Sequence, residues 1–123
     1  MKVLVDTNVW CDFFRGSDPH LLELLAHGLV LMHPVIRGEL SMGALPNRNQ
    51  TLHDLQALSG ASEVKASECS LLVEERKLWG RGLQWNDVQI LASVLITPDT
   101  VLWTRDRRLS DLASDMGVCY HAT

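Results

Sequence analysis

Hydrophobic positions along the chain change their period several times, and each change marks an element. Lys2 to Val5 is a short apolar run that stops at the polar cluster Asp6-Thr7-Asn8. That is the pattern of a buried strand delivering side chains to its C-terminal end. Val9, Trp10, Phe13 and Phe14 then recur at helical spacing. Asp18-Pro19 makes an N-cap and first-turn pair, and Leu21, Leu22, Leu24 and Leu25 form the apolar face of a second helix that stops at Gly28. Leu29 to Met32 reads as a second strand. Val35 to Met42 is a predicted helix with Gly43 behind it, and Asn49 to Leu58 is another that ends near Gly60.

Beyond Gly60 the pattern predicts a weak edge strand at Ala61 to Lys65 and a helix over Ser67 to Leu78, with Leu71, Leu72 and Leu78 on one face. Gly80 and Gly82 form a flexible joint. Asn86 followed three residues later by Gln89 resembles a capping box opening the apolar helix Asp87 to Ile96, after which Pro98-Asp99 makes a turn. Val101 to Trp103 reads as a third strand, Arg107 to Met116 as a helix ended by Gly117, and Val118 to Tyr120 as a last short strand. Strands separated by helices need crossover connections. The predicted class is therefore α/β, a three-layer α/β/α sandwich with a mainly parallel sheet of four to five strands, one domain over residues 1 to 123.

Composition narrows the chemistry. The 123 residues, 46% hydrophobic and 21% charged, suit one core. Fifteen acids against eleven Lys and Arg give a net charge of -4, which argues against binding nucleic acid by bulk charge, so any nucleic acid must be met locally. Cys11, Cys69 and Cys119 are odd in number and far apart, and His20, His27, His33, His53 and His121 show no paired ligand spacing. Neither a disulfide framework nor a zinc site is expected, and a reducing compartment fits. No apolar run reaches the roughly 18 residues of a membrane span, and the run after Lys2 is too short for the roughly 7–15 residue apolar segment of an export signal. The expected protein is soluble and cytoplasmic.

Open parallel sheets place their chemistry beyond the carboxyl ends of the strands, so the acids there matter most. Asp6 ends the first strand, Asp106 follows the third, Asp87 opens an apolar helix, and Glu39 is the sole acid of its helix. Each has an ordinary structural reading: Asp87 and Asp106 as helix caps, Glu39 as a solvated side chain, Asp6 as a cap if a helix begins at Thr7. Jointly they are expected to converge on one edge. Converging carboxylates repel one another unless a cation intervenes, and Mg²⁺ or Mn²⁺ with hard oxygen ligands is the natural one.

These residues carry a family resemblance. Asp6-Thr7-Asn8 after a strand, Gly38-Glu39-Leu40 with Gly43 following, Trp85-Asn86-Asp87 opening a helix, and Leu102-Trp103-Thr104-Arg105-Asp106-Arg107-Arg108-Leu109 resemble, in order, the motifs of PIN-domain nucleases. Within that family they are closest to VapC-type toxins of bacterial type II toxin–antitoxin systems. The resemblance implies a Mg²⁺-dependent endoribonuclease with an acidic pocket of Asp6, Glu39, Asp87 and Asp106. Metal ligands map onto Asp6 and Asp87, with Glu39 and Asp106 completing the pocket directly or through water. Thr104 is implied as a supporting hydroxyl, and Thr7 or Asn8 as fixing the turn after Asp6. A homodimer acting on transfer or ribosomal RNA and neutralised by a VapB-like antitoxin is implied as well. Where some PIN nucleases carry a further acid near the later positions, Asp106 is flanked here by Arg105, Arg107 and Arg108, which leaves one metal ion or two open.

Basic and aromatic residues round out the expectation. Arg81 and Arg105 are expected to meet RNA phosphates, whereas Arg76 and Lys77 read as surface partners of Glu74 and Glu75, and Arg108 as a helix-surface charge. Trp79 and Trp85 suit either base stacking or packing in the core or a dimer interface. An aspartyl-phosphate phosphatase, which also begins with an Asp after a strand, needs a second Asp two residues on, where this chain has Asn8. The remaining alternatives are a PIN nuclease of RNA processing and an inactive PIN-like module that binds RNA or protein.

Overall fold

The structure, a computed structural model, describes residues 1–16 and 18–121. Its centre is strand β1 (Lys2–Val5), flanked by β2 (Val30–Leu31) and β3 (Thr100–Trp103) in the order β2-β1-β3. Both pairings are parallel. Leu4 stands opposite Leu31 on one side and Leu102 on the other, and Val5 opposite Trp103. A strand paired on both sides and covered on both faces has no solvent side, which is why β1 lacks alternation: Val3, Leu4 and Val5 are each 0% exposed.

Among the described residues the sheet has three strands rather than the expected four to five, with a single parallel bridge outside each edge. Leu102 N donates to Val118 O (2.7 Å) and Tyr120 N to Leu102 O (2.8 Å), so the last predicted strand shrinks to a bridge at Cys119. At the other edge Met32 bridges Gly60, one residue before the predicted Ala61 to Lys65 strand. Past Ala61 the side chains of Ser62, Glu63 and Lys65 are exposed, so continued pairing there would bury little apolar surface.

Among the described residues seven helices connect and cover the sheet: α1 (Thr7–Arg15), α2 (Pro19–Ala26), α3 (Pro34–Ser41), α4 (Arg48–Gln56), α5 (Ala66–Arg76), α6 (Trp85–Ile96) and α7 (Arg107–Asp115). Asp18 caps α2 as expected, its Oδ1 accepting from His20 N (3.0 Å) and Leu21 N (3.3 Å). The most buried helix is α6, with Val88, Ile90, Leu91, Ala92, Ser93 and Val94 all inside. It starts two residues before the predicted Asp87. Gln84 N donates to Asp87 Oδ2 (2.8 Å), so the acid of the capping pair is Asp87 itself. The Asn86–Gln89 pair is instead a side-chain contact inside the first turn (3.4 Å).

Because the three strands are parallel, β1, β2 and β3 all exit toward Asp6, Met32 and Thr104 at one edge. No helix among the described residues is long and apolar enough to cross a membrane. The central strand is where packing should matter most: Leu4→Ala is expected to cost about 2–5 kcal/mol by leaving a cavity between the layers, read as a lower urea midpoint. A midpoint unchanged from wild type would contradict a close-packed centre at Leu4.

Candidate active site

Asp6 is buried, 6% exposed, at the point where β1 becomes α1. Thr7 starts the helix at once, so Asp6 serves as its cap: Oδ1 accepts from Thr7 N (2.8 Å). Its other oxygen, Oδ2, accepts from Thr104 Oγ1 (2.7 Å) and at longer range from Asn8 Nδ2 (3.5 Å). Thr104 follows directly on β3, which hydrogen-bonds through Trp103 O to Asp6 N (2.9 Å). Sheet register therefore fixes the hydroxyl against the carboxylate.

Thr7, Asn8 and Thr104 each link two parts of this edge. Thr7 Oγ1 donates to Glu39 Oε1 (2.8 Å), bringing the α3 acid to the start of α1. Asn8 Nδ2 reaches Thr104 Oγ1 (3.2 Å), while Asn8 Oδ1 accepts from Arg105 N (3.0 Å). Thr104 Oγ1 also accepts from Asp106 N (3.1 Å), and Asp106 Oδ1 caps α7 by accepting from Leu109 N (3.1 Å). Asp87 and Asp106 thus perform the capping duties that their places at helix starts suggest, and Asp6 does too.

The carboxyls sense one another. Burial pushes the pKa of Asp6 up, hydrogen bonds from Thr104 and Thr7 N partly oppose this, and the charges of Asp87 and Glu39 push it up further. Burial likewise raises Asp87, the Gln84 N–H opposes, and Asp106 and Glu39 add repulsion. Among the described residues none of these four acids is in an ion pair. Nearby basic charge is directed elsewhere: Arg105 pairs with Asp12 and with Asp18 (2.9 Å) and lies 5.8 Å from the Trp103 ring centre. The sequence does not suggest that pairing, since its partners lie 93 and 87 residues away. The guanidinium expected to face RNA phosphate is thus engaged within the chain.

Arg81 is exposed in its glycine joint. Trp79 and Trp85 are 59% and 46% exposed, so neither belongs to the core of this chain, whereas Trp10 and Trp103 do. Cys11, Cys69 and Cys119 are free thiols. His33 is buried with Nδ1 accepting from Val35 N (3.0 Å), a helix-cap role.

Among the described residues no group of three or more His, Cys, Asp or Glu side chains is close enough to cage a metal ion. The arrangement suits a cation that takes one or two carboxylates and fills its remaining shell with water and substrate oxygens, which is the habit of Mg²⁺. Oxygens remain for it. Asp87 Oδ1, Asp106 Oδ2 and Glu39 Oε2 have no hydrogen-bond partner among the described residues.

Comparison with known proteins adds an independent line. The model of the family described as PIN domain matches residues 3–115. Ribonuclease VapC32 of Mycobacterium tuberculosis, in both the CDC 1551 / Oshkosh and H37Rv strains, is 39% identical over 116 residues, covering 94% of this chain and 94% of the relative. A chain in the structure of VapBC-1 from nontypeable Haemophilus influenzae superposes with a TM-score of 0.69 over 94% of each chain. At 17% identity that likeness is one of fold.

The raised acids have a consequence for stability. Folded Asp87 holds its proton more tightly than the unfolded chain does, so its ionisation destabilises the metal-free fold as pH rises past the unfolded value. Asp87→Asn keeps an oxygen for Gln84 N and loses the charge. In EDTA the variant is therefore expected to be more stable than wild type at about pH 7.5, with the advantage shrinking toward about pH 4. Urea unfolding across that range checks it, and a pH-independent difference would contradict ionisation of a buried, repelled carboxyl as the cause.

Proposed function

The chain belongs to the PIN-domain family, and from that premise we propose that it is a metal-dependent endoribonuclease, the toxin of a toxin–antitoxin pair. The observation that carries the reading is that Asp6, Glu39, Asp87 and Asp106 have no ion pair among the described residues, beside two acids, Asp12 and Asp18, that Arg105 pairs with, Arg15 adding a second pair at Asp12. A structural acid can be ion-paired at no loss, but a cation site must keep its charge free. The Mycobacterium tuberculosis relative is by name a ribonuclease, which supports that activity here. The Haemophilus influenzae neighbour belongs to a VapBC structure, which supports a VapB-like antitoxin as partner.

In this reading Asp6 and Asp87 hold the ion, with Glu39 and Asp106 completing the pocket. Mg²⁺ is the proposed cation and Mn²⁺ its substitute. When bound, the ion supplies a water of lowered pKa and stabilises the charge that develops on the transferred phosphate. The protein's own work is placement. Thr104 and the Thr7 N–H fix both oxygens of Asp6, so its orientation does not have to be found at each turnover. Thr7 holds one oxygen of Glu39, and the other has no hydrogen-bond partner among the described residues. Asp6 and Asp87 must be deprotonated to bind a cation, so their raised pKa values make affinity increase with pH in the acid range. We further read residues 1 to 123 as one domain that works as a homodimer in the cytoplasm on transfer or ribosomal RNA, consistent with exposed Leu71, Trp79 and Trp85.

The decisive experiment incubates the purified protein with total RNA and Mg²⁺ and maps new ends. Asp6→Asn and Asp87→Asn are expected to abolish cleavage with an unchanged circular dichroism spectrum, and to remove Mg²⁺ binding in calorimetry. Thr104→Val is expected to lower activity about 10- to 100-fold, the scale for removing a group that orients a metal ligand. Full activity of Asp6→Asn in Mg²⁺ would sink the proposal. A small gene immediately upstream whose product silences the nuclease separates a toxin from a nuclease of RNA processing.

A further inference from the structure

Arg108 is the second residue of α7, two positions after the pocket acid Asp106. Its guanidinium lies on Gly82, in the turn that leads into the cap of α6 five residues before Asp87. A Cβ built on Gly82 would stand 2.9 Å from each of Arg108 Cζ, Nε and Nη1. A point equally distant from three atoms of one planar group lies over its face, so the guanidinium is stacked flat on the glycine. Gly82 has φ of +79°, a region where glycine is favoured, and a side chain of any kind would meet the stacked plane.

Stacking uses the face of a guanidinium and leaves its N–H donors, which radiate in the plane, unspent. Among the described residues Arg108 makes no ion pair, although acids surround it in sequence. Asp106 is turned to Leu109 N as a cap, and Asp111 is met loosely by Arg107 (4.0 Å). Arg105, by contrast, is spent on Asp12 and Asp18. Among the described residues Arg108 is therefore a cation held oriented without an acid partner, between the segments that deliver Asp87 and Asp106.

We infer that Arg108, held flat on Gly82, is the residue that grips a phosphate of the RNA strand next to the one being cut, and that Gly82 is its positioning residue. This rests on the endoribonuclease reading above and names a substrate contact within it. The fork of donors matches phosphate oxygens, and its seat at the rim leaves the cation site itself to the acids. A contact to a non-reacting phosphate strengthens ground and transition states alike, so its loss appears in KM rather than in kcat.

The test uses the full chain, Mg²⁺ and a labelled mixed-sequence RNA oligonucleotide, with binding followed separately by anisotropy in EDTA. Arg108→Gln is expected to raise KM and weaken RNA binding roughly tenfold, the scale of one charged hydrogen bond, with kcat nearly unchanged. The slope of log affinity against log salt should become shallower by about 0.7, the value for one phosphate contact on a single strand. Arg107→Gln removes the same charge from the neighbouring, 93% exposed side chain and should leave KM close to wild type. Gly82→Ala should reproduce the KM effect and, added to Arg108→Gln, should raise KM no further, while the strained left-handed φ lowers the urea midpoint in either background. Arg108→Lys should recover part of the salt slope but not the affinity. Wild-type KM, binding and salt slope in Arg108→Gln, or an equal loss in Arg107→Gln, would overturn the assignment. If wild type binds RNA without cutting it, the nuclease reading fails while anisotropy still decides the role of Arg108.

Discussion

Asp6 carries a carboxylate into the interior at the carboxyl end of the central strand, and much of the site is arranged around the cost of doing so. Desolvation alone would favour its neutral form, and the charges of Asp87 and Glu39 push in the same direction. Against this stand a hydroxyl from Thr104 and the N–H of Thr7, one for each oxygen. These donors arrive from different strands and turns, so the acid is satisfied only when β1 and β3 are in register and α1 has begun at Thr7. Correct folding and correct orientation of the acid are thus one condition. Asn8 reinforces it by touching Asp6, Thr104 and the backbone of Arg105 together.

A second constraint is the sorting of charge. The chain has fifteen acids and eleven Lys and Arg, and an even distribution would let each pocket acid find a cation. Instead Arg105 reaches back to Asp12 and Asp18, tying β3 to α1 and the start of α2. At 40% side-chain exposure such a pair contributes little to stability, about 0–1 kcal/mol. Its larger effect is to engage the guanidinium that directly follows Thr104 with acids other than Asp6, Glu39, Asp87 and Asp106. The net charge of -4, which by itself argues against nucleic acid, is then compatible with a local acidic site whose rim carries separate cations.

How much of this is legible in the sequence depends on how local the signal is. The strand Lys2 to Val5, the cap at Asp18 and the buried helix after Asp87 follow from patterns within a few residues, and the structure has them. Asp6, Asp87 and Asp106 stand out in the sequence by their places after strands and at helix starts, and Glu39 only as the sole acid of its helix. Strand number is not, because an edge strand of one bridge leaves hardly any hydrophobic pattern to read. The role of Arg105 escapes a sequence reading for a different reason: three arginines within four residues are alike in sequence, and only contacts across 87 and 93 residues tell them apart. Trp79 and Trp85 illustrate the same limit, since an exposed tryptophan beside a glycine turn has the same local sequence as a buried one.

The capping duties of the acids also decide what substitution can reveal. Asp87 and Asp106 each give one oxygen to a backbone N–H and leave the other without a protein partner among the described residues. An amide retains an acceptor for that backbone bond while removing the charge, so Asn at these two positions separates scaffold from chemistry. Asp6 is less separable. Its Oδ2 accepts from a Thr104 hydroxyl that itself accepts from Asp106 N and Asn8, so an NH₂ group turned toward Thr104 would face an oxygen already supplied with donors. Turned the other way, it would face the N–H of Thr7. The same charge change is therefore expected to relieve repulsion at Asp87 and to exchange repulsion for a misdirected hydrogen bond at Asp6. A buried carboxylate with a donor on each oxygen is part of the fold, whatever chemistry it also serves.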